Sequence, residues 1–255
     1  MNKPFGYFGG KDRSALFLKE KIPYHTIYIE VFGGGASLLF KKNRSFREIY
    51  NDYNFELYNF FMILRDNPEE LQELIDKTPI GRGIFEYEVL QSNMKSCIDV
   101  LILKAALFFM RRIYSFGGKG EHFSFNNKAG NKIYRPDIIK FSERMQNVII
   151  ENLEFDRLIK KYDKDTTLFY LDPPYYPSET EKYGSIYGCP EWDQDDIHFC
   201  LYNVLKNIKG KFMLSYNSVT YIRELYKDFN IIEFSFKKAY QNTDERSKEV
   251  LICNF

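Results

Sequence analysis

Apolar residues fall in two rhythms along this chain, and the change from one to the other divides it. Residues 27–32, IYIEVF, form an apolar run that predicts a strand. It leads into Gly33-Gly34-Gly35 and a helical start, ASLLF, and residues 46–50 read as a second short strand ending at Asn51-Asp52. Strand, glycine turn, helix, strand and acid is the order of a nucleotide-binding βαβ unit. From 54 to about 112 apolar residues recur three and four apart, as in NFELYNFFMIL and CIDVLILKAALFFM, which predicts helices with no strand among them. Residues 114–134, YSFGGKGEHFSFNNKAGNKIY, have no period and predict a loop or hairpin with outward side chains. Alternation then resumes, with strands at 148–150, 167–171, 211–216, 231–236 and 250–255 and helices at 193–207 and after Ser218. The pattern is an α/β sheet carrying a helical and irregular insertion.

Composition narrows what such a chain can do. Its 255 residues suit one large domain, or a domain with a substantial insertion, and a hydrophobic content of 44% supports a core. With 20 Tyr and 24 Phe, some rings are available as stacking surfaces as well as for packing. A net charge of +1 excludes a globally basic protein, so any nucleic-acid contact must come from a local patch. Residues 104–140 supply one, with eight basic side chains against only Glu121 and Asp137. Cys97, Cys189, Cys200 and Cys253 are scattered, without a CxxC pair or a histidine cluster, so neither a metal site nor a disulfide framework is expected. The N-terminal residues MNKPFGYFGGKD have no apolar leader, and the most apolar helix, at 97–110, is short and contains Asp99 and Lys104. The expectation is a soluble, cytoplasmic protein with no membrane association. His122 and His198 read as surface or capping residues.

Three glycines after a strand let a ligand approach the backbone closely, but Gly-rich turns are common and the GxGxxG spacing is not met, Leu38 standing three after Gly35. Asp52, at the end of the second strand, is placed to accept hydrogen bonds from ribose hydroxyls. It could equally cap the helix that begins at NFELYNFF, as could Asn51 or Asn54.

The sharpest feature is FYLDPPYY, residues 169–176. In an open parallel sheet ligands sit beyond the carboxyl ends of strands, which is where Asp172 falls. The lone pair of a nucleobase amine is delocalised into its ring, so the amine attacks carbon poorly until its two hydrogens are drawn aside. Asp172 can accept one N–H and the Pro173 carbonyl the other, and the fixed φ of Pro173 and Pro174 holds these acceptors ready. Tyr175 offers a ring face on which a flipped base can stack.

These motifs resemble those of adenine-N6 DNA methyltransferases of the Dam-like (D12, alpha-group) class, in the same order over nearly the whole chain. Tyr7-Phe8-Gly9-Gly10-Lys11 is similar to the family's opening motif, the Glu30 to Ser37 stretch EVFGGGAS to its cofactor turn, and Asn51-Asp52-Tyr53-Asn54 to its acidic motif. Asp172 to Tyr175, DPPY, matches the catalytic tetrapeptide, and FMLSYN at 212–217 and RSKEVL at 246–251 resemble the closing motifs. The resemblance implies a Rossmann-like α/β methyltransferase sheet that uses S-adenosylmethionine, yields S-adenosylhomocysteine and needs no metal. Its catalytic domain would comprise 1–55 and 147–255, and a helical target-recognition domain 56–146. Tyr7, Gly10, Lys11, Glu30, Phe32, Gly33, Gly35, Asp52, Phe155 and Asp172 would meet the cofactor, and Asp172, Pro173, Pro174 and Tyr175 would carry catalysis. Val31 stands where many members have proline, and residues 110–134 fit the family only in general character.

In the insertion, Arg111, Arg112, Tyr114, Lys119, Asn126 and Lys128 are the expected contacts to double-stranded DNA, Arg reading guanine and Lys holding phosphate. A cognate restriction enzyme is a candidate partner, and a monomer or weak dimer the expected assembly. Rival readings change the substrate to cytosine N4 or RNA, or make the chain a catalytically silent DNA-binding relative. Asp before the prolines favours adenine.

Overall fold

The computed structural model describes residues 3–7, 10–82, 96–124, 136–176, 194–237 and 246–255. The chain packs as two compact units. One comprises Met1–Asp12, Gly34–Lys42 and Asn54–Asn152, the other Arg13–Gly33, Asn43–Tyr53 and Leu153–Phe255. The described strands are β1 (Ile27–Glu30), β2 (Arg47–Asn51), β3 (Val148–Glu151), β4 (Thr167–Leu171), β5 (Lys211–Asn217), β6 (Asn230–Lys237) and β7 (Arg246–Cys253).

The second unit holds six of these strands, in the order β2-β1-β4-β5-β7-β6. The first four are parallel, while β7 runs antiparallel between β5 and β6. Every residue of β1 and β4 is buried, as their unbroken apolar runs require of strands covered on both faces. Ile29, Phe169, Leu171, Phe212, Leu214 and Ile252 belong to one core cluster. Because β1, β2, β4 and β5 point the same way, Glu30, Asn51, Leu171 and Asn217 all finish at one edge of the sheet. The register sets Glu30 beside both Tyr50 and Tyr170, so Asp172 leaves β4 next to the end of β1. Pairing with β6 starts β7 at Arg246 rather than at the expected 250.

The first unit is built on helices, as the three-and-four spacing predicts. Phe55–Asp66 and Pro68–Lys77 are separate because Asn67 ends the first and Pro68 can only open a helix. The helix Cys97–Ile113 is capped by the Ser96 hydroxyl, which accepts from the Asp99 N–H at 3.2 Å. Its Ala105 and Ala106 are fully buried, and such small side chains let a neighbouring helix come close. There Phe109 stacks on Phe60 at 5.6 Å with the rings almost parallel, and Asn59 donates to the Leu101 carbonyl at 2.9 Å. Phe5 meets Phe60 edge-on at 5.1 Å, which ties the N-terminal segment to this helical core. The short helices Ala15–Glu20, Ile139–Met145 and Phe155–Tyr162 have no counterpart in the elements that the apolar spacing predicts.

Candidate active site

In the second unit the site begins with Asn51, a side chain that the sequence offers as a helix cap and as part of the acidic motif. It is 1% exposed, donates to the Val31 carbonyl at 2.8 Å and the Leu153 carbonyl at 3.0 Å, and accepts from the Leu153 N–H at 2.8 Å. One amide thereby ties the segment after β1 to the segment before Phe155. The Gly33 N–H donates to the Asn51 carbonyl at 2.8 Å, fixing the turn from its other side. These bonds leave the ring of Phe32 5.9 Å from that of Phe155, two candidate walls for a flat heterocycle. The helix cap belongs to Asn54, which accepts from the Glu56 N–H at 2.8 Å. Asp52 is therefore not the cap.

Packing and backbone conformation both call for glycine in the turn. A Cβ at Gly33 would lie 2.2 Å from Cε2 of Tyr50, a ring with no solvent exposure. Gly34 has φ +50°, the left-handed conformation that glycine adopts without strain. Glu30, 2% exposed, accepts from the Tyr28 hydroxyl at 3.0 Å, so one carboxylate oxygen is held within the sheet.

Asp172, Pro173, Pro174 and Tyr175 come directly after β4. Pro173 is buried, and Asp172, Pro174 and Tyr175 are half-buried. Burial, then the Asp172 charge, pushes the phenols of Tyr170 and Tyr175 well above their usual range. Both therefore remain neutral across the working pH range, and Tyr175 offers a ring and a hydroxyl rather than a phenolate base. The Tyr175 ring lies 6.0 Å from Tyr216, and Tyr176 stacks on Tyr221 at 4.5 Å. His198 is not the surface or capping residue that its sequence context suggests: it is 1% exposed, with Nδ1 2.6 Å from the Tyr216 hydroxyl.

The remaining cofactor candidates lie in the first unit. The Gly10 N–H closes a turn on the Tyr7 carbonyl at 2.9 Å, and Lys11 is 5% exposed; Phe8 and Gly9 fall outside the described residues. No motif or spacing points to Lys3. Its Nζ is buried, 3.1 Å from the Ser37 hydroxyl and 2.9 Å from Asp12. A Cβ at Gly10 would come 2.1 Å from that nitrogen, and one at Gly35 3.1 Å from the Lys3 stem, so both glycines accommodate this lysine.

Among the expected DNA contacts, two turn inward. Tyr114 is 2% exposed and its carbonyl accepts from Ser124 at 2.7 Å, which removes it as an outward stacking ring. Arg112 lies over the rings of Tyr7 at 5.0 Å and Phe108 at 4.8 Å and donates to the carbonyls of Gly118 at 3.2 Å and Lys119 at 2.5 Å. Arg111 is partly exposed and Lys119 exposed, while Asn126 and Lys128 lie outside the described residues.

Over residues 7–239 the chain matches the profile of the D12 class N6 adenine-specific DNA methyltransferases. It belongs to that family. Curated relatives agree along the whole length. Type II methyltransferase M1.LlaDCHI of Lactococcus lactis subsp. cremoris is 28% identical, the alignment covering 99% of this chain and 95% of the relative. Type II methyltransferase M.CviBI of Paramecium bursaria Chlorella virus NC1A is 26% identical, over 91% and 88%. Type II methyltransferase M.MjaIII of Methanocaldococcus jannaschii is 27% identical, over 99% of both. The chain is thus an adenine-specific DNA methyltransferase, and membership of the D12 class implies S-adenosylmethionine as methyl donor. Among the described residues, no helix is long and apolar enough to cross a membrane.

Proposed function

We propose that this D12-class enzyme methylates N6 of an adenine flipped out of double-stranded DNA, with the residues after β4 performing the chemistry. The placement of Asp172 at the carboxyl end of a fully buried strand, with Pro173 and Tyr175 behind it, carries this reading. Asp172 accepts one N6 hydrogen and the Pro173 carbonyl the other, which favours a tetrahedral nitrogen with its lone pair free to attack. Tyr175 supports the base by stacking. As the N–C bond forms, positive charge grows on N6, and the fixed carboxylate stabilises it without rearrangement before taking up the proton.

The residues of the second unit fit the proposed methyl donor. Phe32 and Phe155 suit its adenine, Asp52 its ribose hydroxyls, and Glu30 and Gly33 its approach to the turn. The bound cofactor supplies a methyl group on a positively charged sulfur. For the first unit, we propose that Tyr7, Gly10, Lys11 and Gly35 serve the methionine end, with the Lys11 ammonium complementing a carboxylate. Arg111 and Lys119 are the proposed contacts to DNA phosphate and base, together with Asn126 and Lys128 on sequence grounds. The names of the relatives, type II methyltransferases, support a restriction enzyme of the same specificity as partner.

Incubation with labelled S-adenosylmethionine and mixed DNA, with nucleoside analysis of the product, tests the reaction. Label in N6-methyladenine is expected. Label in N4-methylcytosine, in RNA alone or nowhere overturns it. Single-molecule sequencing of DNA from cells expressing the protein then gives the recognition sequence.

A further inference from the structure

The pairing of β5 with β7 ends at two polar residues to which the proposed reaction gives no part. Asn217 closes β5, and its antiparallel partner across the ladder is Glu249 of β7. The Asn217 amide donates to the Tyr176 carbonyl at 2.8 Å. Glu249, 4% exposed, sits across that rung within reach of the Tyr175 hydroxyl, whose upward shift it adds to after burial and the Asp172 charge. One rung of the sheet therefore grips two consecutive residues just past the prolines, the first by its side chain and the second by its backbone. The neighbouring rings complete the grip: Tyr216, which precedes Asn217, lies 6.0 Å from Tyr175, and Tyr176 is flanked by His198 at 5.3 Å and Tyr221 at 4.5 Å.

A buried carboxylate is costly unless a donor answers it, and a phenol kept neutral by burial is a donor that cannot leave as an anion. The hydroxyl is also the end of the tyrosine farthest from the backbone. Pinning it there fixes the tilt of the ring, which two torsions would otherwise leave free. A stacking platform works only if its plane matches that of the base, and the base must present N6 to acceptors held two residues earlier in the chain.

We infer that Glu249 and Asn217 are positioning residues for methyl transfer, Glu249 setting the plane of the Tyr175 ring through its hydroxyl and Asn217 fixing the chain beyond it. This rests on Tyr175 as the platform for the target adenine. Replacing Tyr175 by Ala tests that premise by itself: parental turnover would remove it.

The inference is decided by a double-mutant cycle. Glu249→Gln keeps the shape and removes the charged acceptor, while Tyr175→Phe keeps the ring and removes the donor. Each is expected to lower kcat about 10- to 100-fold, the loss typical of one hydrogen bond to a charged group. S-adenosylmethionine affinity should stay near its parental value, and the double variant should be no slower than the slower single one. Losses that multiply, a parental kcat in Glu249→Gln, or a loss confined to cofactor affinity would each overturn the inference. Should Glu249→Gln fail to fold, Tyr175→Phe and Asn217→Ser decide the matter, and parental kcat in both would refute it.

Discussion

Replacing Gly33 with alanine would set a methyl carbon 2.2 Å from Cε2, 2.6 Å from Cδ2 and 2.7 Å from Cζ of Tyr50. Carbon atoms rest about 3.5–4.0 Å apart, so the overlap is roughly 1–2 Å across one edge of the ring. Tyr50 has no solvent exposure and belongs to β2, where it is paired with Glu30 of β1, so the ring has no open side to swing into. Gly33 is itself held by its N–H on the Asn51 carbonyl at 2.8 Å, which limits retreat of the backbone. Overpacking of this kind costs about 1–3 kcal/mol. For a chain of this size that corresponds to a fall in Tm of roughly 2–12 °C. Because the clash is with protein and not with ligand, the loss must appear without S-adenosylmethionine. Thermal unfolding of the free enzyme measures it, and a cofactor titration by calorimetry measures any accompanying change in binding at the turn. Tyr50→Leu in the same chain should recover part of the Gly33→Ala loss, since the leucine vacates the space. An unchanged Tm alongside weakened cofactor binding would refute the packing reason and return the glycine to the role the sequence suggests, that of letting the ligand approach.

Asp172→Ala should retain DNA binding while methyl transfer, measured with labelled S-adenosylmethionine, falls by several orders of magnitude; near-normal turnover would sink the lone-pair reasoning. Arg111→Ala should weaken DNA binding and reduce the salt slope of log K by about one, the mark of a lost phosphate contact. Arg112→Ala should lower the Tm first, because its guanidinium holds the Gly118 and Lys119 carbonyls and lies over Tyr7. Asp66 is held below the usual carboxylate range chiefly by its hydrogen bonds from Arg65. A depressed carboxyl contributes stability that is present above its unfolded pKa and lost as pH falls through the folded one. The stability gap between the parent and Asp66→Asn should therefore exist at neutral pH and close in acid. Since 46% of the Asp66 side chain is exposed, the gap should not exceed about 1 kcal/mol in denaturant titrations.

The buried strands are legible in the sequence because their signal is local. An apolar run such as IYIEV or TLFYL has only one comfortable place, the centre of a covered sheet, and the carboxylate that ends β4 then falls where ligands bind. Arg112 and Tyr114 defeat sequence reading for the opposite reason. Their neighbours, Gly, Lys and Asn, announce a loop, but composition says nothing about which way a side chain at its base will point. Gly117 and Gly118, both at positive φ, fold the chain back so that its carbonyls face Arg112. A Cβ at Gly118 would meet the Gly6 carbonyl oxygen at 2.2 Å, so this turn rests directly against the backbone that leads to Tyr7. Contacts between residues so far apart in sequence have no periodic signature. The same holds for Asn51, two of whose three hydrogen bonds reach a residue 102 positions away.

The abundance of tyrosine over plain aliphatic core has a chemical counterpart at the carboxyl edge of the sheet. Glu30 takes the Tyr28 hydroxyl at 3.0 Å, and Glu249 and Asp172 lie near enough to Tyr175 and Tyr170 to add to the upward push on their phenols. Burial is the first cause of the upward shift in all three phenols, and the carboxylates add to it. Each ring thus stays a neutral donor, and a donor hydroxyl favours the charged form of the carboxylate it faces. Phenylalanine at 28 would fill the same volume but remove the hydroxyl that Glu30 accepts from. A negative edge suits the proposed reaction at both of its ends, because the positive charge sits on sulfur before transfer and on N6 after it. Acceptors fixed in place need not reorganise as that charge moves. The tyrosine hydroxyls therefore bear on the electrostatics of the proposed reaction as much as on the packing of the sheet, and Tyr175, the proposed platform for the base with Glu249 near its hydroxyl, joins the two.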